Sequence, residues 1–551
     1  MRKSFSVSNP RTLFFILLGI TTIINIFLYL YRIDQIPQGV STDILLYFSN
    51  ARAIAETGKD IYGNVLPLYF SHKGILMMPV TVYVIAFFYS LFGFSHIVGY
   101  LPNILISSIG VIVTGLLANQ LSNSRRIGLL AASMLTISPW HYHLSRTAFE
   151  GVFGFTLVLI GIYFSVLGLK RSRYLYWSLC MFLLAAFSYK AVNIFLLCYP
   201  LVYLTKAKKY ILYSFAIYAI VFIQWVLLFF IYKDTYATGI VTNNITLAKQ
   251  SVATELNQSD APRLVKAIMS NTPVSLGRIF IKNYLNFFSP QYLFINGDTD
   301  NRFSTTGHGQ LYYIDAFFII AGSIWLWRNK KKKDIRFLLA IILVAPFSSL
   351  ISDEQYAVRT YIVVFIFSIL SAYGINACIS VAKNTKNQYR LLFPILTVYL
   401  LFFVFYLYQY HFLYIHYGRE SWGGTNREVF MEVYTKTRIY DHITMGNSSE
   451  FDFLEYMYWN QLPASEIQQG LSAYNENELQ YKNISFVRNC AKAGNSVSRD
   501  MVGVKDLLYT YDFCFSDVEP LNRYYLPKTL IYRWKSYDRM TIRQYFNTIQ
   551  P

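Results

Sequence analysis

Two carboxylates stand at the ends of apolar runs. Asp43 opens "DILLYFSNARAIAETGKDIYGNVLPLYF" just beyond the first long apolar stretch, and Glu150 opens "EGVFGFTLVLIGIYF" after "SPWHYHLSRTAF". A charged group at a membrane boundary is costly, and it is kept there when it accepts a proton or orients a polar partner. The plainer jobs are a helix cap for Asp43 and an i,i+4 pair with Arg146 on one helix for Glu150. Five further residues could meet an anion. Lys73, Lys190 and Arg359 fall at the outer ends of apolar runs, and Arg302 and His308 lie within "NYLNFFSPQYLFINGDTDNRFSTTGHGQLYYID". Cations at that depth suit a lipid-linked phosphate or diphosphate, or, one at a time, simple snorkelling. No Walker loop, HExxH, GxSxG or CxxC pair accompanies them.

These groups need elements to hold them, and the composition says which kind. Of 551 residues 54% are hydrophobic and 14% charged, with 47 Tyr and 44 Phe. Apolar runs of roughly 17–25 residues, the length a bilayer requires, recur from residue 12 to about 413. Their lack of period-two alternation excludes a membrane barrel. "LFFILLGITTIINIFLYLY" is too long for a signal-peptide core and reads as a retained first span. The net charge of +19 does not point to nucleic acid, because Lys and Arg cluster in short connections between runs. That is the signature of cytoplasmic loops.

If every basic cluster is cytoplasmic, the spans between neighbouring clusters come in even numbers. The reading that satisfies this has about 11 transmembrane helices, with the N-terminus cytoplasmic and 75–94, interrupted by Pro79, as a re-entrant or interface helix. The fold class is then an all-α polytopic membrane protein over 1–415, with outer loops 32–74 and 233–311. A small extracytoplasmic C-terminal α/β domain follows over 416–551. Cys180, Cys198 and Cys378 lie in apolar runs, where small buried thiols are expected, while Cys490 and Cys514 could pair outside. In the first outer loop, Ser41 or Thr42 caps a helix whose apolar stripe is Ile44, Tyr47, Phe48, Ala51 and Ile54. Such a helix is expected to lie flat on the membrane. The spans carry almost no ionisable residue near their middles, which argues against an ion-coupled transporter.

Four stretches, "STDILLYFSNARAIAETGKDIYGNVLPLYF", "SPWHYHLSRTAFEG", "NYLNFFSPQYLFINGDTDNRFSTTGHGQLYY" and "SDEQYAVRTY", resemble polyprenyl-phosphate-sugar-dependent glycosyltransferases of the GT-C fold. Within that fold they are most similar to bacterial protein O-mannosyltransferase and aminoarabinose transferase types. The resemblance implies that Asp43 matches the first-loop catalytic aspartate and Glu150 the second-loop acid that follows an Arg. The family shows a second acid where this chain has Ile44, and Lys-Pro-Pro where it reads "HKGILMMP". It further implies inverting transfer of a sugar from a polyprenyl-phosphate donor to a hydroxyl acceptor (protein, lipid or glycan) at the outer face of the plasma membrane. Asp43 would act as base, and Lys73, Lys190, Arg302, His308 and Arg359 would be substrate- or phosphate-binding residues. No cofactor is called for, and a divalent metal is left open. The rival readings are a lipid or polysaccharide transporter and a non-catalytic membrane scaffold.

Overall fold

The computed structural model describes residues 9–204, 210–305, 307–329, 332–349, 357–382, 384–446, 448–473 and 478–488, with strands at 506–511, 529–535 and 542–548. In chain order the elements begin with α1 (Pro10–Leu30), α2 (Thr42–Thr57), β1 (Phe70–His72), β2 (Ile75–Met77), α3 (Pro79–Phe92) and α4 (His96–Ser122). Next come α5 (Arg125–Thr136), α6 (Pro139–Ser145), α7 (Glu150–Gly168), α8 (Arg173–Ala186), α9 (Lys190–Leu204) and α10 (Ile211–Trp225). Then follow α11 (Thr235–Gln258), α12 (Arg263–Met269), α13 (Thr272–Phe287), α14 (Tyr313–Arg328), α15 (Lys332–Val344), α16 (Ile362–Ile379) and α17 (Thr385–Tyr408). The C-terminal elements are α18 (Tyr414–Tyr417), α19 (Gly424–Lys436), β3 (His442–Gly446), α20 (Glu450–Trp459), α21 (Ala464–Ser472), β4 (Glu478–Tyr481), β5 (Ile484–Val487), β6 (Asp506–Tyr511), β7 (Thr529–Lys535) and β8 (Ile542–Thr548).

The chain is a multi-pass membrane protein. Among the described residues six helices are long and apolar enough to span: Pro10–Leu30, His96–Ser122, Glu150–Gly168, Ile211–Ile231, Ile362–Ile379 and Thr385–Tyr417. Other expected spans are shorter or interrupted. Residues 128–145 divide into α5 and α6, because Pro139 brings no N–H and Ser138 caps the new helix through His141 N (3.5 Å). At 14 residues α3 is about 21 Å long, short of a bilayer core of about 30 Å.

The chain divides into two compact units: 1–33, 69–81 and 100–411 form one, and 34–68, 82–99 and 412–551 the other. The first is helical, and α16 is its centre. Residues 362–375 are buried without exception, and α14, α5, α17 and α7 pack around them. Glycines make the closest crossing. A Cβ on Gly374 would fall 2.0 Å from Phe318 O, and one on Gly322 2.1 Å from Leu370 O, so α14 and α16 approach through their small residues. Gly374→Ala is therefore expected to cost about 1–3 kcal/mol through overpacking, read as a lower Tm of the detergent-solubilised protein.

The second unit gathers the first-loop helix α2, most of α3 and the C-terminal segment. Its sheet runs β4-β5-β3-β6-β8-β7, with β3 parallel to β5 and β6 and the other pairs antiparallel. Two expectations change here. Residues 44–53 of α2 are buried on every side, so α2 is no one-sided surface helix; α20 and α21 cover it. Its polar residues are accommodated inside: Asn50 donates to Leu46 O (2.9 Å) and accepts from Ile61 N (3.3 Å). The free thiols also differ, with Cys180 exposed and Cys198 and Cys378 half-buried. Cys490 and Cys514 lie outside the described residues.

Candidate active site

Ser138 and Pro139 start α6, which ends at Ser145 with Arg146 as its C-cap residue, and α7 begins only at Glu150, so Arg146 and Glu150 do not share the single helix expected. Arg146 is buried and donates to Tyr29 O (2.6 Å) and Leu28 O (3.4 Å). Those carbonyls end α1 and have no intrahelical partner, so a cation there satisfies them and suits the negative end of the helix dipole. The Tyr142 and Tyr410 rings flank the same guanidinium at 5.4 and 5.3 Å. Asn103 Nδ2 bonds the carbonyls of Thr147 (2.8 Å) and Phe149 (2.9 Å), and this fixes the link into α7. Glu150 then sits half-buried in the first turn of α7, where the dipole favours an acid.

The loop 296–312 folds against this corner. Buried Asp298 accepts from Ala357 N (3.0 Å) through its carboxylate and from Ser304 Oγ (3.0 Å) through its carbonyl. Trp140 donates its ring N–H to Ala357 O (3.0 Å) and its backbone N–H to Gln310 O (3.2 Å). His143 Nε2 donates to Arg302 O at 3.0 Å. Glycine is required at three points: Gly297 and Gly307 both have φ +75°, and a Cβ on Gly309 would meet the Phe294 carbonyl carbon at 2.2 Å.

Within this frame the cations differ. Arg302 is held by both oxygens of Asp300 (Nε–Oδ1 3.2 Å, Nη2–Oδ2 2.7 Å), so its charge is already met in part. His308 donates Nδ1–H to Gly309 O (2.6 Å) and stands edge-on to the Tyr312 and Tyr406 rings. Burial pushes His308 below the usual imidazole range, so at neutral pH it is a neutral hydrogen-bonding group rather than a cation. Arg359 stands apart: its Nη1 is buried and meets no hydrogen-bond partner among the described residues. The start of α7 links these groups. A Cβ on Gly151 would meet Val358 Cγ1 at 2.3 Å and Tyr189 Cε1 at 3.1 Å. Glu150 is thus next in sequence to a glycine wedged between the neighbours of Arg359 and Lys190.

Lys190 already has a partner, Asp234, 2.5 Å away with its carboxylate fully buried. Asp234 also accepts from Leu76 N of β2 (3.4 Å), and Thr235 N bonds Gly74 O (2.9 Å). Sequence reasoning missed Asp234 and Asp298; a lone acid ending "FFIYKD" was the available signal for the first. Lys190→Met leaves a buried carboxylate without this cation and is expected to cost about 3 kcal/mol. Asp234→Asn should cost less, because Lys190 retains some solvent. Thermal unfolding of the two variants side by side tests the order. Lys73 is exposed in the β1–β2 turn. Lys73 and Gly74 both have positive φ (50° and 78°), as a two-residue hairpin turn demands. Proline, fixed near −65°, could not occupy that turn, which accounts for the missing Lys-Pro-Pro.

Asp43 belongs to the second unit. It is exposed in the first turn of α2. Ser41 is the N-cap residue, yet its side chain makes no capping bond. Ile44, where the family has a second acid, is 1% exposed, so an acid there would have to be buried. Among the described residues no group of three or more His, Cys, Asp or Glu could hold a metal ion.

Residues 77–232 match the profile of the dolichyl-phosphate-mannose-protein mannosyltransferase family, a stretch that includes Glu150 and Lys190. No curated protein matches the sequence. Among solved structures, ArnT from Cupriavidus metallidurans bound to undecaprenyl phosphate superposes with a TM-score of 0.55 at 10% identity, over 96% of this chain and 98% of that one. The fold is GT-C. The Archaeoglobus fulgidus oligosaccharyltransferase tethered to an acceptor peptide has the same GT-C architecture, with a TM-score of 0.50 at 12% identity over 98% of this chain and 74% of that one. The chain spans 61% of the same enzyme in its complex with zinc and sulfate. In this GT-C chain, then, the likeness covers nearly the whole length, whereas the family profile covers only 77–232.

Proposed function

We propose that this protein is an inverting glycosyltransferase that moves a hexose or pentose from a polyprenyl-phosphate donor to a hydroxyl acceptor. The reaction would run at the extracytoplasmic face of the plasma membrane, with about 11 spans and a cytoplasmic N-terminus. The acceptor oxygen attacks the anomeric carbon from the face opposite the phosphate. The bond from that carbon to the phosphate oxygen breaks, polyprenyl phosphate leaves, and the acceptor proton passes to Asp43. Arg359 meets the departing phosphate, assisted by Lys73 and Arg302 as hydrogen-bond donors; His308, whose one neutral-state N–H is held by Gly309 O, adds a donor to the phosphate only when its Nε2 is protonated. Lys190 contributes a charge shared with Asp234, and Glu150 orients the acceptor or a cation. The observation that carries the reading is Asp43 itself, exposed in the first turn of a helix whose next ten residues, 44–53, are buried, in a chain of GT-C fold. The sugar-phosphate bond is already activated, so neither a nucleotide site nor a strong base is needed, and positioning supplies much of the rate.

The test uses the purified full-length protein in nanodiscs, offered a panel of undecaprenyl-phosphate-linked sugars together with hydroxyl acceptors of each class (a Ser/Thr peptide, a lipid and a glycan) and measured for release of undecaprenyl phosphate. Release with at least one sugar is expected. Tight binding of undecaprenyl phosphate with no release across the panel, or movement of the intact donor between leaflets, would favour the transporter reading.

A further inference from the structure

The Asp43 helix ends in a polar cluster that its own sequence does not explain. Arg52 and Glu56, an i,i+4 pair on α2, are joined at 2.6 Å. The same Arg52 donates Nη2–H to Gln461 O (3.1 Å) and lies 3.9 Å over the Phe94 ring. Glu56 turns its second oxygen to Ala464 N (2.8 Å). Ala464 is the first residue of α21, and the residue before it, Pro463, offers no side-chain cap. The first N–H groups of a helix need acceptors; here one is supplied from about 400 residues away along the chain. Just beyond, Gln468 Nε2 bonds Asp60 O (2.8 Å) and Thr57 Oγ1 (3.1 Å). The other end of α2 is also strapped. A Cβ on Gly39 would fall 2.1 Å from Trp422 O, so the chain entering α2 runs directly against the backbone of the C-terminal segment.

We propose that Glu56 is a positioning residue: by bridging Arg52 and the N-terminus of α21, it fixes the axial rotation of α2 and thereby the direction in which Asp43 points. The C-terminal segment is then part of the catalytic apparatus rather than an appended domain. This rests on the proposed role of Asp43. An α-helix is stiff, and the 13 residues from Asp43 to Glu56 span about 20 Å, so a rotation allowed at one end reaches the other undiminished.

Two variants cut the bridge in different ways. Glu56→Ala removes the carboxylate. Ala464→Pro removes the N–H that Glu56 accepts and adds ring atoms at a fully buried position; proline is at home in the first turn of a helix, so the hydrogen bonds within α21 are kept. In full-length protein in nanodiscs, both variants are expected to raise amide exchange in 42–57 by about tenfold or more. Both should also lower kcat for undecaprenyl phosphate release about tenfold to a hundredfold, with donor KM within about twofold of the parent. Unchanged exchange in both variants overturns the bridge, and raised exchange with an unchanged kcat overturns its link to catalysis. A raised KM at constant kcat also overturns it, by making Glu56 a substrate contact. If Glu56→Ala does not fold, Ala464→Pro decides alone. Asp43→Asn serves as the control: should it keep the full rate, the reading of Asp43 fails, and the bridge is judged on exchange alone.

Discussion

Asp43→Asn is expected to lower sugar transfer by about 10²–10⁴-fold, the range for loss of a positioned general base, while undecaprenyl phosphate binds as before. The substitution separates two jobs for the same residue. Asn is as good a helix N-terminal residue as Asp and matches it in volume, and the side chain is exposed, so α2 should be undisturbed. If Asp43 served only to begin the helix, the variant would be fully active. If it receives the acceptor proton, the neutral amide cannot, and kcat falls without a matching change in donor KM. Release of undecaprenyl phosphate under saturating donor, set beside the amide exchange of 42–57, gives both halves of the answer. A rate within twofold of the parent would remove Asp43 from the mechanism.

Arg359→Gln carries the second largest expected effect, a loss of about 10²–10³-fold in kcat/KM. Arg359 Nη1 is buried and without a partner among the described residues, an arrangement that costs free energy until an acceptor arrives. Phosphate oxygens supply it, and a charge-assisted pair to a planar guanidinium is the strongest of the hydrogen bonds available. Gln keeps a donor and loses the charge. Arg359→Lys restores the charge without the fork, so it should recover only part of the loss. The comparison that decides is Arg302→Gln. Because Asp300 already holds the Arg302 side chain through both its oxygens, that variant should cost less than Arg359→Gln. Equal losses, or a larger one at Arg302, would reverse the two roles. Simple snorkelling at Arg359 predicts no change in donor KM at all.

Much was legible before any coordinates, and the physical reason differs from case to case. The membrane class followed from the apolar runs, since a bilayer imposes their length and nothing else in a chain of 551 residues requires it. Glu150 was readable because Pro139 and the apolar run after 150 bracket it, and α7 does begin there. The Gly-rich loop was readable as structured, since Gly307 and Gly309 sit where a positive φ or a close backbone approach demands them.

What periodicity could not reveal was the partner of each polar group. A stripe at helical spacing predicts one buried face, but residues 44–53 of α2 are buried all round, because segments distant in sequence, α20 and α21, cover the side expected to face water. Spacing alone puts Arg146 and Glu150 on one helix, but the chain breaks before α7, and Arg146 donates to the last carbonyls of α1. Lys190 reads from sequence as a phosphate-binding cation, and the structure adds that it shares its charge with Asp234. Arg359 stands out for the opposite reason, a buried nitrogen without a hydrogen-bond partner among the described residues. Sequence by itself determined the class of the protein, the order of its loops and the two carboxylates worth testing, all of which are local or set by the solvent. Only the tertiary structure decided which charges are already spent on one another, because ion pairs and helix caps form between residues that the chain brings together from tens to hundreds of positions apart.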